Sequence, residues 1–371
     1  MTITDVEAIH LRLPEVAETA DGTQDVLIVR VATDEGLTGI GEVSSQSYVC
    51  KAIIEAPRSA ERRHGLREVV VGRTVDDVTA LWDHMYVGTN RYGRRGVAIH
   101  AMSGLDLAFW DLKGKAEGRS IHDLWGGARR ERVRAYASHL FGDTPEETHT
   151  RAVEAVGLGL TAAKFGWGPF GKDPDLDVAH IEAARDAIGD DRELMVDAGC
   201  AWDWETGLER IELFEPYNLG WLEEPLGQDD LKGYRELCSR SSIPIAAGEM
   251  ETTHHAFEAL VDCGVHVLQA DVAIGGGLTV CRRVGEMATR KGIRVVPHCY
   301  STGINLAGSL QWIVTHPTGD LVEYSRSPSP LMRDLVSNLP QLEDGMVRVP
   351  NGPGLGVELD EDVIERYRVK E

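Results

Sequence analysis

Between Arg132 and Ser325 the sequence repeats one unit eight times: a short apolar run, then a stretch of helical periodicity. The runs are RVRAYAS (132–138), LTAAKFG (160–166), ELMVDAG (193–199), LGWLEEP (219–225), IPIAAGE (243–249), VHVLQAD (265–271), RVVPHC (294–299) and LVEYS (321–325). Segments such as DLDVAHIEAARDAIG and LTVCRRVGEMATRKG lie between them. Eight strands alternating with helices are the signature of a (β/α)8 barrel. A doubly wound sheet is the competing solution, but no Gly-x-Gly-x-x-Gly follows the first strand, and Gly275–Gly277 does not fit that pattern.

The residues ahead of this array read as a separate α+β unit. Strand-like runs cover 3–13 and 25–33, a turn and third strand cover 34–43, and a long buried-type helix spans 96–118, ended by Gly118. Gly126-Gly127 marks a boundary. The expected organisation is therefore an α+β domain over 1–127, the barrel over 128–330, and a Pro/Gly-rich segment, 331–371, returning to the first domain.

In such a barrel the C-terminal ends of the strands converge on one face, where active sites sit. The residues at those ends are Lys164, Asp197, Glu223, Glu249, Asp271, His298 and Glu323. Asp197, Glu223 and Glu249 are 26 and 26 residues apart, about one strand–helix unit each, and should stand side by side. Three carboxylates that close repel one another unless they take up protons or hold a cation, and an all-oxygen site with room for water suits Mg²⁺. The bland alternative is three unrelated acids, each capping the next helix. His298 follows an apolar run, with Asp271 at the neighbouring strand end placed to orient it, a candidate general base. Lys164 is a base, an electrophile toward a carboxylate, or simply a rim ion pair. Trp167, in the Gly-rich loop after Lys164, either shields substrate or packs beneath its loop, and His139 is a further substrate-contact candidate.

Charge excludes some partners. With 38 Lys+Arg against 60 Asp+Glu, the net charge of −22 argues against nucleic acid or an anionic membrane surface. No apolar run reaches the length of a membrane span, and no signal peptide is evident. Six cysteines without a CxxC pair fit reduced thiols in a cytoplasmic protein.

The strand-end set, with the motifs AAKFG, VDAG, WLEEP, AAGE, QADVAIGGG, VVPHC and VEYS, resembles the enolase superfamily in its mandelate racemase subgroup. SGLDLAFWDLKGKAEG, LWGG and GPGLGVEL extend the resemblance over essentially the whole chain. It implies an α+β capping domain over a modified (β/α)8 TIM barrel and one Mg²⁺ per subunit on Asp197, Glu223 and Glu249. It also implies an Asp271–His298 dyad, Glu323 near the substrate carboxylate, and a homo-oligomer, dimer or octamer. The reaction would begin by removing the proton α to a carboxylate, with Lys164 or a protonated Glu323 donating to the developing charge.

One departure matters. Racemases of the subgroup carry Lys-x-Lys at the second strand end, where this chain has Lys164-Phe165-Gly166. Racemisation needs acid and base on opposite faces, whereas His298 alone could remove the α-proton and then protonate a departing β-hydroxyl. The expected activity is therefore dehydration of a sugar acid to a 2-keto-3-deoxy acid. The alternatives are a racemase, epimerase or cycloisomerase on the same scaffold, or a retired protein that binds metal and sugar acid. By resemblance to the family's cap loops, residues 14–24 would close over the substrate. Arg91, Arg94 and Arg95 would meet the substrate or an adjacent subunit, and Tyr324 is a further expected substrate contact.

Overall fold

The computed structural model describes all residues except 18–20, 62 and 371. Part of the 14–24 loop thus lies outside the described residues. The chain opens with an antiparallel sheet of three strands, β1 (Ile3–Arg12), β2 (Asp25–Thr33) and β3 (Thr38–Val43). The helix Val97–Glu117 lies across this sheet, and the approach is very close. A Cβ at Gly41 would sit 1.9 Å from the Gly104 carbonyl oxygen, and one at Gly39 2.2 Å from that of Ala108. The Gly-Ile-Gly run is what lets helix and sheet backbones meet. Gly118, at φ 63°, ends the helix in the left-handed conformation glycine favours.

Eight parallel strands follow: β4 (Arg132–Leu140), β5 (Ala162–Gly166), β6 (Glu193–Asp197), β7 (Leu219–Glu223), β8 (Ile245–Ala247), β9 (Val267–Leu268), β10 (Arg294–Val295) and β11 (Leu321–Ser325). They pair in sequence from β4 to β10, and β11 returns to pair with β4. Among the described residues no ladder joins β10 to β11. The Cys299 amide donates instead to the Glu323 carboxylate at 2.6 Å, so a side chain spans the seam.

The barrel interior is filled by one residue from each strand or its immediate extension: Tyr136, Ala162, Met195, Trp221, Ala246, Val267, Val296 and Leu321. All eight are buried, and the Tyr136 and Trp221 rings meet edge to face at 5.8 Å. This plug forms the floor of the site above it.

The segment 331–371 divides rather than returning as a whole to the first domain. Its hairpin, β12 (Leu342–Glu343) and β13 (Met346–Arg348), pairs antiparallel with the start of β4, Val347 opposite Val133. β5 is displaced from that stretch, pairing β4 only from Ala137 onward, so the early part of β4 has an open edge that the hairpin covers. The short helix Pro330–Arg333 before the hairpin touches the first domain at Gly22–Gln24, and beyond the hairpin the Leu355 amide donates to Asp111 and the Val369 amide to the His10 carbonyl at 2.9 Å. No described helix is long and apolar enough to cross a membrane.

Candidate active site

Side chains two residues apart on a strand share a face. Counting two residues on from the floor gives Ser138, Lys164, Asp197, Glu223, Gln269, His298 and Glu323, one layer higher in the barrel. Glu249 breaks the count, being three residues past Ala246. Gly248, at φ 130°, turns the chain between them and brings Glu249 into the same ring. Asp197, Glu223 and Glu249 offer oxygens within 4.8 Å of one another, and all three are buried.

The electrostatics of that trio fit a cation. Burial, then the charges of Glu223 and Glu249, raise the Asp197 pKa well above the carboxylate range. Burial also pushes Glu249 up to about 8, Glu224 and Glu223 adding to it and His298 opposing it. With Asp197 and Glu249 both pushed toward their protonated forms, the trio is a buried oxygen donor set whose repulsion a divalent ion would relieve. Glu223 is anchored from below, accepting from Trp221 Nε1 at 2.8 Å and Gln269 Nε2 at 2.6 Å.

The imidazole stands beside Glu249. His298 Nδ1 lies 2.7 Å from Asp271 Oδ2, and Nε2 faces the cavity, 3.7 Å from Glu249 and 4.0 Å from Glu323. Burial opposes a charge on this ring, but Glu249, Glu323 and Asp271 outweigh it and raise its pKa well above the usual histidine value. Lys164 pairs with Glu223, and its Nζ is 3.2 Å from Glu323 Oε1. Burial again opposes the charge, and the two carboxylates again prevail, raising the lysine pKa. Glu323 goes the other way: burial would raise it, yet Lys164 and His298 bring it to about 2. The neighbouring charges of Lys164 and His298 thus favour the ionised form of Glu323.

A cavity of about 280 Å³ joins these groups, lined by Lys164, Asp197, Glu249, His298 and Glu323 among others. Trp167 and His139 line it as well. Trp167 has φ 57°, and its ring covers Gly199, where an added Cβ would come within 3.2 Å. His139 stacks on Phe165 with ring centroids 5.5 Å apart. Two candidates are not brought in. Tyr324 alternates with Glu323 on β11, so it faces the outer layer, where the Arg333 guanidinium lies 5.9 Å from its ring. Arg91, in the last turn of the helix Val78–Gly93, is exposed and does not line the cavity, and Arg94 and Arg95 are exposed too. Sequence reading passed over Ser44, Ser138 and Tyr300, which also line the cavity. The period-two count from Tyr136 would have found Ser138, and Tyr300 lies only two residues past His298.

Two family models cover most of this chain. Residues 147–363 match the enolase C-terminal domain-like family, and residues 2–126 match the mandelate racemase/muconate lactonizing enzyme N-terminal domain. The chain belongs to the enolase superfamily, in its mandelate racemase subgroup. Its superfamily relatives include a putative L-rhamnonate dehydratase of Caldivirga maquilingensis, 33% identical over 92% of this chain and 82% of that one. An arabinonate dehydratase of Saccharolobus solfataricus is 29% identical over 95% of this chain and 92% of its own. Among solved structures, the 3,6-anhydro-D-galactonate cycloisomerase from Zobellia galactanivorans superposes with a TM-score of 0.90 at 28% identity, covering 100% of both chains.

Set in this subgroup, Gly166 is more than a missing lysine. A Cβ there would lie 2.7 Å from Asp197 Cβ and 2.9 Å from its Oδ2. The space that a side chain at 166 would leave through is filled by one of the three clustered acids.

Proposed function

We propose that this chain is a Mg²⁺-dependent sugar-acid dehydratase, removing the proton α to a carboxylate and eliminating the β-hydroxyl to give a 2-keto-3-deoxy acid. The observation that carries this reading is the asymmetry of the cavity. One wall holds an imidazole oriented by Asp271; the opposite side offers Lys164, tied to two carboxylates, and a glycine closed off by Asp197. Racemisation needs a proton donor and an acceptor facing each other, and elimination needs only one.

Asp197, Glu223 and Glu249 would hold the ion. When bound, Mg²⁺ supplies a Lewis acid for the substrate carboxylate and neutralises the acids that otherwise keep His298 protonated. His298 Nε2 takes the α-proton while Asp271 holds the ring through Nδ1. The Lys164 ammonium donates to the negative charge that develops on the carboxylate, and Glu323 fixes that ammonium in place. The imidazolium then delivers its proton to the leaving β-oxygen on the same face. Trp167 and His139 wall the cavity against bulk water.

If the leaving oxygen belongs to a ring, the same elimination yields an isomer rather than releasing water. That is the cycloisomerase alternative, favoured by the likeness to the Zobellia enzyme. Six free cysteines support the cytoplasm as its compartment.

The test is incubation with Mg²⁺ and a panel of acid sugars, followed by a keto-acid assay. A 2-keto-3-deoxy product from at least one aldonate or aldarate is expected. Deuterium entering the α-position of recovered substrate in D₂O, with no keto acid formed, would favour racemisation. His298→Asn should lower turnover by ~10²–10⁴-fold. Unchanged turnover would remove the imidazole from the mechanism.

A further inference from the structure

A second cavity, of about 470 Å³, opens beside the first and shares His139, Leu140 and Tyr300 with it. Its inner wall carries Arg151 and Arg326; Glu147 and Glu154 stand on its exposed rim. Arg326 follows β11 by one residue, and its backbone amide donates to the Ser138 carbonyl at 3.1 Å. Its guanidinium Nε is buried and has no hydrogen-bond partner among the described residues. Arg151 donates through Nη1 to the carbonyls of Leu140 and Phe141, at 2.6 and 2.9 Å, and so is fixed at the end of β4.

Neither arginine forms an ion pair with a described carboxylate, in a chain whose net charge is −22. Asp21, which also lines this cavity, already accepts from Thr23 N and Oγ1, at 2.9 and 2.6 Å, and from Ser327 Oγ at 2.7 Å. The two guanidiniums act together on the neighbouring His139. Burial first, then Arg326 and Arg151, lower the pKa of His139 to about 3. An unsatisfied buried guanidinium N–H is costly in the free protein, and the planar fork of an arginine lining a cavity matches a carboxylate or phosphate.

We propose that the substrate carries a second anionic group, carboxylate or phosphate, at the end remote from the reacting carbon, and that Arg326, with Arg151 beside it, seats that group in the second cavity. This rests on the sugar-acid reading above. The carboxylate next to the reacting carbon occupies the first cavity, and the chain runs past His139 and Tyr300 into the second. The substrate class narrows to diacids of the aldarate type or terminally phosphorylated aldonates.

The test compares binding of aldonates, aldarates of the same configuration, and their terminal phosphates to the Mg²⁺-loaded His298→Asn protein by calorimetry. Competition on the wild-type protein serves as a second measurement. The doubly charged ligands should bind at least about tenfold more tightly than the matched aldonate, as a charged hydrogen bond implies. Arg326→Met should erase that advantage and Arg326→Lys should restore part of it. Whichever of the two anions binds more tightly names the group. Equal affinities, no binding of any of the three, or an equal loss for all ligands in Arg326→Met would overturn the proposal. Absence of keto acid from every substrate would instead sink the dehydratase reading and leave this binding comparison intact.

Discussion

Asn305 Nδ2 stands 3.1 Å from both carboxylate oxygens of Asp271, the residue that holds His298. Asn305 is fixed in turn by the first domain. Its backbone amide donates at 3.0 Å to Glu42 of β3, which also accepts from Thr302 Oγ1 at 2.5 Å and from Ser301. Glu42 is buried at the N-terminus of the helix Gly303–Ile313, where burial raises its pKa and the bonds from Ser301 and Thr302 oppose the rise. The capping sheet therefore reaches the imidazole through two intermediate residues, Asn305 and Asp271, and three hydrogen-bonded links.

Asn305→Leu should accordingly lower kcat by about 10–100-fold, the worth of a hydrogen bond to a charged group, with little change in KM. Steady-state kinetics checks this, with circular dichroism to show that the variant folds. A change in KM alone would mean that Asn305 does not act through Asp271.

Glu249 in the acid cluster predicts a pH dependence that metal suppresses. In the metal-free protein Glu249 titrates near 8, above the carboxylate value of an unfolded chain, ~4.3. Between those values the folded state binds more protons than the unfolded one, so stability falls as pH rises. The metal-free Tm should therefore decline from about pH 5 to pH 8, and Mg²⁺ should reduce or abolish the decline. Binding of Mg²⁺ near pH 7 should release protons, read as a calorimetric enthalpy that varies with the buffer's ionisation enthalpy. An enthalpy independent of buffer would show that the acids are already ionised.

Installing a side chain at Gly166 should not create a racemase. Because a Cβ there would press on Asp197, Gly166→Ala and Gly166→Lys should both weaken Mg²⁺ binding and cut turnover by about 100-fold, the typical effect of displacing a reacting group by an ångström. Metal titration and kinetics of the two variants check it. Epimerised product from Gly166→Lys would contradict the account.

Asp111 ties three parts of the chain together. Buried in the helix Val97–Glu117, it accepts from the Ile40 amide at 3.0 Å, the Leu355 amide at 2.9 Å and Lys115 Nζ at 2.6 Å. Asp111→Ala leaves two buried amides without a partner, while Lys115 keeps the Thr38 carbonyl, and should destabilise the protein by about 2 kcal/mol or more. Denaturant unfolding measures this directly, and a loss below about 1 kcal/mol would show that water replaces the carboxylate.

The sequence determined the strand count and, through spacing, the identity of the residues at the strand ends. Both follow from local rules, since apolar periodicity marks each strand and each strand–helix unit has a nearly constant length. Lys164, Asp197, Glu223, His298 and Glu323 fall on one layer because each lies two residues beyond a floor residue. Only the tertiary structure decided the rest. Tyr324 adjoins Glu323 in the chain but points the other way, because successive strand residues face opposite sides. Glu249 enters the ring through the turn at Gly248, which no count of two would place. Whether Lys164 is a base or a cation, and whether Arg326 has a partner, depends on carboxylates brought from distant strands. Charge acts through space, and folding decides which charges are neighbours.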